Sequence, residues 1–108
     1  MSEEKQNNQM AMELIIEAGN AKAAAMQAIH VAKKDNFEQA HNYLQEANQA
    51  LNKAHLIQKD MFSQQASGAP VPLNLYLIHA QDHLMTATTF IDLAQEIIAL
   101  YQKLASKK

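Results

Sequence analysis

The chain has no cysteine, which removes disulfides, thiolate metal sites and cysteine nucleophiles together. It has no arginine either, since all nine basic residues are lysines. A phosphate bound here meets no planar guanidinium fork unless a partner supplies one. Neither sign of charge dominates: the formal net charge is −2, and charged residues make up 19% of the sequence. No basic field exists to draw in nucleic acid. No apolar run approaches the roughly 20 residues needed to span a bilayer. The opening Met1-Ser2-Glu3-Glu4-Lys5 lacks the basic start and apolar core of a secretion signal. A cytoplasmic protein is expected, with no nucleic-acid partner and no membrane insertion. Glycine and proline number two each, and Gly68, Pro70 and Pro72 crowd into one short break.

What remains is helical in spacing. The 108 residues suit one domain, residues 1–108, with a single core. Over about 9–34, Leu14, Ala18, Ala21, Ala25, Ala28 and Ala32 form one seam, and Lys33-Lys34 suits the C-terminal dipole. Ser2 with Glu3 and Glu4 offers a cap, but the polar residues that follow are expected to fray. Gly19 costs about 1 kcal/mol relative to alanine inside a helix, so the small residues around it predict close approach of a neighbour. Asp35 as N-cap with Glu38 in the capping-box position predicts a tight turn into a second helix. That helix, about 37–67, carries Phe37, Ala40, Leu44, Ala47, Leu51, Ala54, Gln58 and Met61, large and small in alternation. His41, Asn48 and His55 run along its flank, where a histidine is ordinarily a solvated or rim residue. A third helix over about 73–105 would be roughly 50 Å long. The fold class is all-α, an antiparallel up-down-up three-helix bundle.

The third helix has two seams where such a bundle needs one. Leu77, Ala80, Leu84, Ala87, Ile91, Ala94 and Ile98 match the second helix and face the core. Beside them lie Tyr76, His79, His83, Thr86, Phe90, Leu93, Ile97 and Leu104. A three-helix monomer buries one wide stripe per helix, so the second stripe is expected to meet another chain. His79 and His83 lie one turn apart within it, with Asp82 adjacent in projection. Polar groups on a covered face cost about 1–3 kcal/mol each when unpaired, so their retention there suggests chemistry. An imidazole, with an ordinary pKa of about 6.5, is largely neutral at cytoplasmic pH and can attack without a dedicated base.

The run His79-Ala80-Gln81-Asp82-His83-Leu84-Met85-Thr86 resembles the lactose/cellobiose-type enzyme IIA component of the bacterial phosphoenolpyruvate-dependent sugar phosphotransferase system. The resemblance extends to Ala18-Gly19-Asn20-Ala21, Ala54-His55 with Gln58, Ala66 with Gly68, and Leu100-Tyr101. Lys22 stands where arginine is usual, Lys59 where threonine is usual and Gln65 where glutamate is common, all outside the central motif. The resemblance implies a phosphocarrier, a system component with a phosphohistidine intermediate rather than a complete enzyme. His79 would accept the phosphoryl group from phosphorylated HPr and pass it to a cysteine of the IIB component during uptake of a β-linked disaccharide. His83 would orient the group or donate to it. Gln81 is a candidate donor, although on an ideal helix it projects about 160° from His83, so a surface or bundle-facing amide is as good a reading. The resemblance also implies a homotrimer with the third helix around a threefold axis, where three Asp82 carboxylates share a divalent cation taken as Mg2+. Oxygen-only ligation favours such a hard cation. Specificity would lie mainly in the membrane IIC component, leaving lactose, cellobiose and chitobiose open.

Without that motif, two other readings stand. The chain could be a non-catalytic oligomeric bundle that tolerates His79 and His83 at a seam. It could also be a metal-binding bundle, because His79 and His83 have zinc-ligand spacing with Asp82 nearby. Di-iron bundles carry two Glu-x-x-His motifs and the chain does not, and the His-Glu-x-x-His of metalloproteases is absent.

Overall fold

Small side chains set the spacing of the helices. Among the described residues, twelve of the twenty that form the buried core are alanines, which lets the backbones approach closely. Leu14, Leu84, Ile91 and Ile98, the largest fully buried side chains, each contribute roughly 1.5–3 kcal/mol of transfer free energy. The computed structural model of the chain describes residues 2–68, 71 and 73–107, with side chains described from residue 5 onward. Three helices account for nearly all of them: α1 (Ser2–Ala32), α2 (Phe37–Ala66) and α3 (Leu75–Ser106). They form a rod with principal extents of 60 × 19 × 19 Å.

Side-chain contacts fix the directions. Gln64 reaches Met10, and Gln102 lies 3.1 Å from His41, so α2 runs antiparallel to both neighbours. Asn74 donates to Asn8 at 3.5 Å, and Tyr76 reaches Met12, so α1 and α3 run parallel. This is the up-down-up bundle expected. α1 packs extensively on both partners, whereas α2 and α3 touch each other less. Most of the seam positions that the spacing predicts are buried, with Ala18, Ala21, Ala25 and Ala28 on α1, Ala40, Ala47 and Ala54 on α2, and Ala80, Ala87 and Ala94 on α3 at no exposure, while Phe37, Gln58 and Leu77 are only half-buried.

The helix ends differ from the expected ones. α1 begins at Ser2 rather than near residue 9, because Asn7 and Asn8 are half-buried and the start of α3 gives Asn8 a partner. α1 ends at Ala32 rather than residue 34. Asp35 takes a left-handed φ of 62°, and its amide and that of Asn36 bond Ala32 O and Val31 O, both at 3.0 Å, a Schellman-type stop. Aspartate tolerates that conformation better than most side chains. Asp35 is therefore the terminator of α1 and not the N-cap of α2. Asn36 caps α2 instead: its Oδ1 accepts from the Gln39 amide at 3.3 Å while its Nδ2 donates to Gln39 Oε1 at 2.9 Å. Gln39 thus takes the position expected of Glu38, three residues after the cap, although its side chain bonds the Asn36 side chain and not the Asn36 backbone amide.

α2 stops at Ala66, one residue early, with Gly68 at φ +89° and the Gln65 side chain accepting from the Val71 amide at 3.1 Å. α3 starts at Leu75 rather than 73, since Asn74 Oδ1 accepts from the Leu77 amide at 2.7 Å. Ala69, Pro70 and Pro72 of the expected break, and the side chain of Ser2 as a cap, lie outside the described residues. Gly19 is also corrected, because a methyl group placed there meets nothing within 4 Å and α1 continues through it. No helix among the described residues is long and apolar enough to cross a membrane.

Much of the second seam of α3 is uncovered, although Tyr76 and Phe90 are half-buried against the core. Leu93, Ile97, Leu100 and Leu104 are 55, 37, 60 and 55% exposed. Met12, Ile16 and Met26 continue an exposed apolar face onto α1, at helical spacing through Gly19.

Candidate functional site

His79 and His83 sit on successive turns of α3 at the edge of the uncovered stripe. Helical spacing stacks their side chains, and the rings meet edge to face, with centroids 4.5 Å apart and planes at 87°. Their Nε2 atoms are 3.1 Å apart. His79 is exposed and His83 half-buried. On the far side of His83, Lys22 of α1 places Nζ 3.4 Å from Nδ1. Three side chains from two helices thus form a chain, Lys22 to His83 to His79, with the outermost imidazole open to solvent.

The surroundings of His83 disfavour its charged form. Burial is the larger cause, followed by the Lys22 ammonium and by His79, with the Asp82 carboxylate opposing, and together they lower its pKa from 6.5. Asp82 is exposed on the same turn. Thr86, also in the motif, turns its hydroxyl back to donate to Asp82 O at 2.9 Å and His83 O at 3.2 Å.

Gln81 lies elsewhere. Its Oε1 accepts from Gln58 Nε2 at 2.7 Å, and its own Nε2 points at Met61 Sδ, 3.7 Å away, both on α2. Gln58 fills the seam position between Ala54 and Met61, so a half-buried amide pair borders the core at this level. Its partner keeps Gln81 facing the bundle. His55 is exposed on α2.

One chain does not by itself fit a metal ion. Among the described residues no three His, Cys, Asp or Glu side chains gather as a ligand set, and Asp82 supplies a single carboxylate where a hard cation takes six or more oxygens.

Lys22 is the functional candidate that spacing alone misses. Its signal in the sequence is isolation: it is the one Asp, Glu, Lys or Arg between Glu17 and Lys33, in a stretch where half of the other residues are alanine.

The site and fold have close counterparts. A family model described as the PTS system, lactose/cellobiose specific IIA subunit, matches residues 9–102. The chain is 46% identical over 93 residues to the PTS system cellobiose-specific EIIA component of Lactococcus lactis subsp. lactis, covering 86% of this chain and 80% of that one. It superposes on the crystal structure of the PTS cellobiose-specific enzyme IIA from Bacillus anthracis with a TM-score of 0.91 at 40% identity, over 93% of this chain and 92% of that one. It is also similar to a chain in the solution structure of the IIA(chitobiose)–HPr complex of the Escherichia coli phosphotransferase system, with a TM-score of 0.81 at 35% identity, over 92% and 96% of the two chains.

Proposed function

Because the chain belongs to the lactose/cellobiose-specific IIA subunit family of the phosphotransferase system, we propose that His79 carries a phosphoryl group from phospho-HPr to a cysteine of the IIB component. The observation that carries this reading is an exposed imidazole, His79, backed at 3.1 Å by the ring of His83, itself next to a cation on another helix. HPr as donor is supported by the Escherichia coli relative solved in complex with HPr. The IIB component and, indirectly, the membrane IIC component follow from the general role of the family. The site of action is the cytoplasm, and the sugar is a β-linked disaccharide chosen mainly by IIC.

In the transfer, a nitrogen lone pair of His79 attacks phosphorus as the bond to its donor on HPr breaks. The electron pair of that bond returns to the donor. No water is consumed and no oxidant is needed. The second step reverses the roles, with the IIB thiolate attacking and His79 leaving as a neutral imidazole. His83 is the donor to the phosphoryl oxygens, since a neutral imidazole carries one N–H and the ring already faces His79. Gln81 contributes to the oxygens only after giving up Gln58, or from a neighbouring chain.

The assembly is a homotrimer formed through the exposed stripe of α3. An apolar face of this length is an association surface rather than a monomer's exterior. Three copies of Asp82 near the axis would hold a Mg2+ ion, the hard cation that carboxylate oxygens favour. No step of the transfer is routed through it.

Intact-mass spectrometry after incubation with phosphoenolpyruvate, enzyme I and HPr tests the reading. One acid-labile phosphoryl group is expected on the wild type and none on His79→Ala, whose helicity stays unchanged because His79 packs into no core. Labelling of the mutant would move the acceptor elsewhere. An unlabelled wild type would return the chain to a structural or metal-binding bundle.

A further inference from the structure

We infer that Lys22 is a positioning residue of this site, holding His83 in the orientation and tautomer that present an N–H to His79. The inference rests on the phosphocarrier reading for its consequence, but not for its geometry. An ammonium can only donate, so where Lys22 Nζ lies 3.4 Å from His83 Nδ1, that nitrogen is the acceptor. A neutral imidazole with Nδ1 unprotonated carries its proton on Nε2. His83 Nε2, 3.1 Å from His79 Nε2, is then the donor of that contact and His79 Nε2 the acceptor. The direction of the whole chain is set at its Lys22 end.

The consequence is a pre-aimed donor. His79 Nε2 offers its lone pair toward the spot that the His83 N–H marks. As phosphorus arrives there, the N–H passes to a phosphoryl oxygen. With the other tautomer, His83 would present a lone pair to both the nucleophile and the incoming oxygens, which repels the latter. Among the described residues, Lys22 is the one charged side chain of α1 that acts on His83.

Two variants and two readouts test this. Lys22→Met keeps the length of the side chain and removes the donor; Lys22→Arg keeps a donor. Long-range 15N–1H correlation spectra, taken where the imidazoles are neutral, report the tautomer directly. The wild type is expected to show His83 protonated at Nε2, Lys22→Met a mixture of tautomers, and Lys22→Arg the wild-type pattern. In rapid-quench transfer from phospho-HPr, Lys22→Met is expected to lose about ten- to hundredfold in rate, the range seen when a group orienting an imidazole is removed, and Lys22→Arg to recover most of it. A merely structural lysine would leave the tautomer unmoved. His83 protonated at Nδ1 in the wild type, or Lys22→Met keeping both the tautomer and the rate, would overturn the role of Lys22 while leaving the carrier intact. A wild type that accepts no phosphoryl group would instead remove the carrier, and the tautomer spectra would still decide on Lys22.

Discussion

Gln58 donates to Gln81 at 2.7 Å across the α2–α3 seam, the one amide pair set into a row of alanines and large aliphatics. No buried side-chain nitrogen or oxygen among the described residues lacks a partner. Gln58→Ala leaves the Gln81 oxygen without its donor and is expected to cost about 1 kcal/mol, measured by urea denaturation. Phosphoryl uptake at His79 is expected to persist. A parallel loss of uptake would mean that Gln81 acts at the site and that Gln58 holds it for that purpose.

His83 gives the site a pH signature with a definite sign. Its folded-state pKa lies below 6.5, through burial first and then Lys22 and His79, against Asp82. Between the two values the unfolded chain binds a proton that the folded chain refuses. The stability this group contributes is therefore present above the ordinary value and lost as pH falls through the folded one. NMR titration is expected to show the His83 ring protons moving at lower pH than a free histidine. Lys22→Met moves that midpoint part of the way back up, since burial, the larger cause, stays. An upward shift in the wild type would contradict the geometry described.

The two seams of α3 separate cleanly by mutation. Leu84 is fully buried whereas Leu93 is 55% exposed, although both are leucines on the same helix. Leu84→Ala opens a cavity in a core that alanine backbones already hold close, and is expected to cost about 2–5 kcal/mol. Leu93→Ala is expected to leave the unfolding of a dilute chain within about 0.5 kcal/mol and to weaken self-association, read by sedimentation equilibrium. Equal folding losses at both positions would mean that the second stripe is core.

The seams were legible in the sequence because burial on a helix repeats with its period, but the expected match of α3 to α2 was not the main contact, since α1 packs more extensively on each of them than they do on each other. The His79-His83-Asp82 cluster was legible as well, being contained in one stretch of one helix. The misreadings were local or long-range. Asp35 and Asn36 are both good caps, and the choice fell to which of them also had to end α1 by entering the left-handed region. Gly19 read as a contact point because small residues surround it, yet a methyl group placed there meets nothing within 4 Å. Lys22 meets His83 across 61 positions of chain, a pairing fixed only by the register between α1 and α3, which periodicity does not specify.

Asp82 tests what holds copies of the chain together. It is exposed on the same turn as His83, beside a stripe whose leucines and isoleucines are also open to solvent. In a trimer around α3, three such carboxylates would repel one another unless a proton or cation intervened. Asp82→Leu removes the repulsion and the ligands at once. The variant is expected to stay trimeric by light scattering, to bind no Mg2+ by calorimetry, and to be indifferent to a chelator that loosens the wild type. Its His79 is expected to remain phosphorylatable, because no atom of the transfer chain from Lys22 to His79 is altered. If Asp82→Leu fell apart into monomers, the ion would be the staple, and the apolar stripe of Leu93, Ile97 and Leu100 would be too weak to assemble the protein alone.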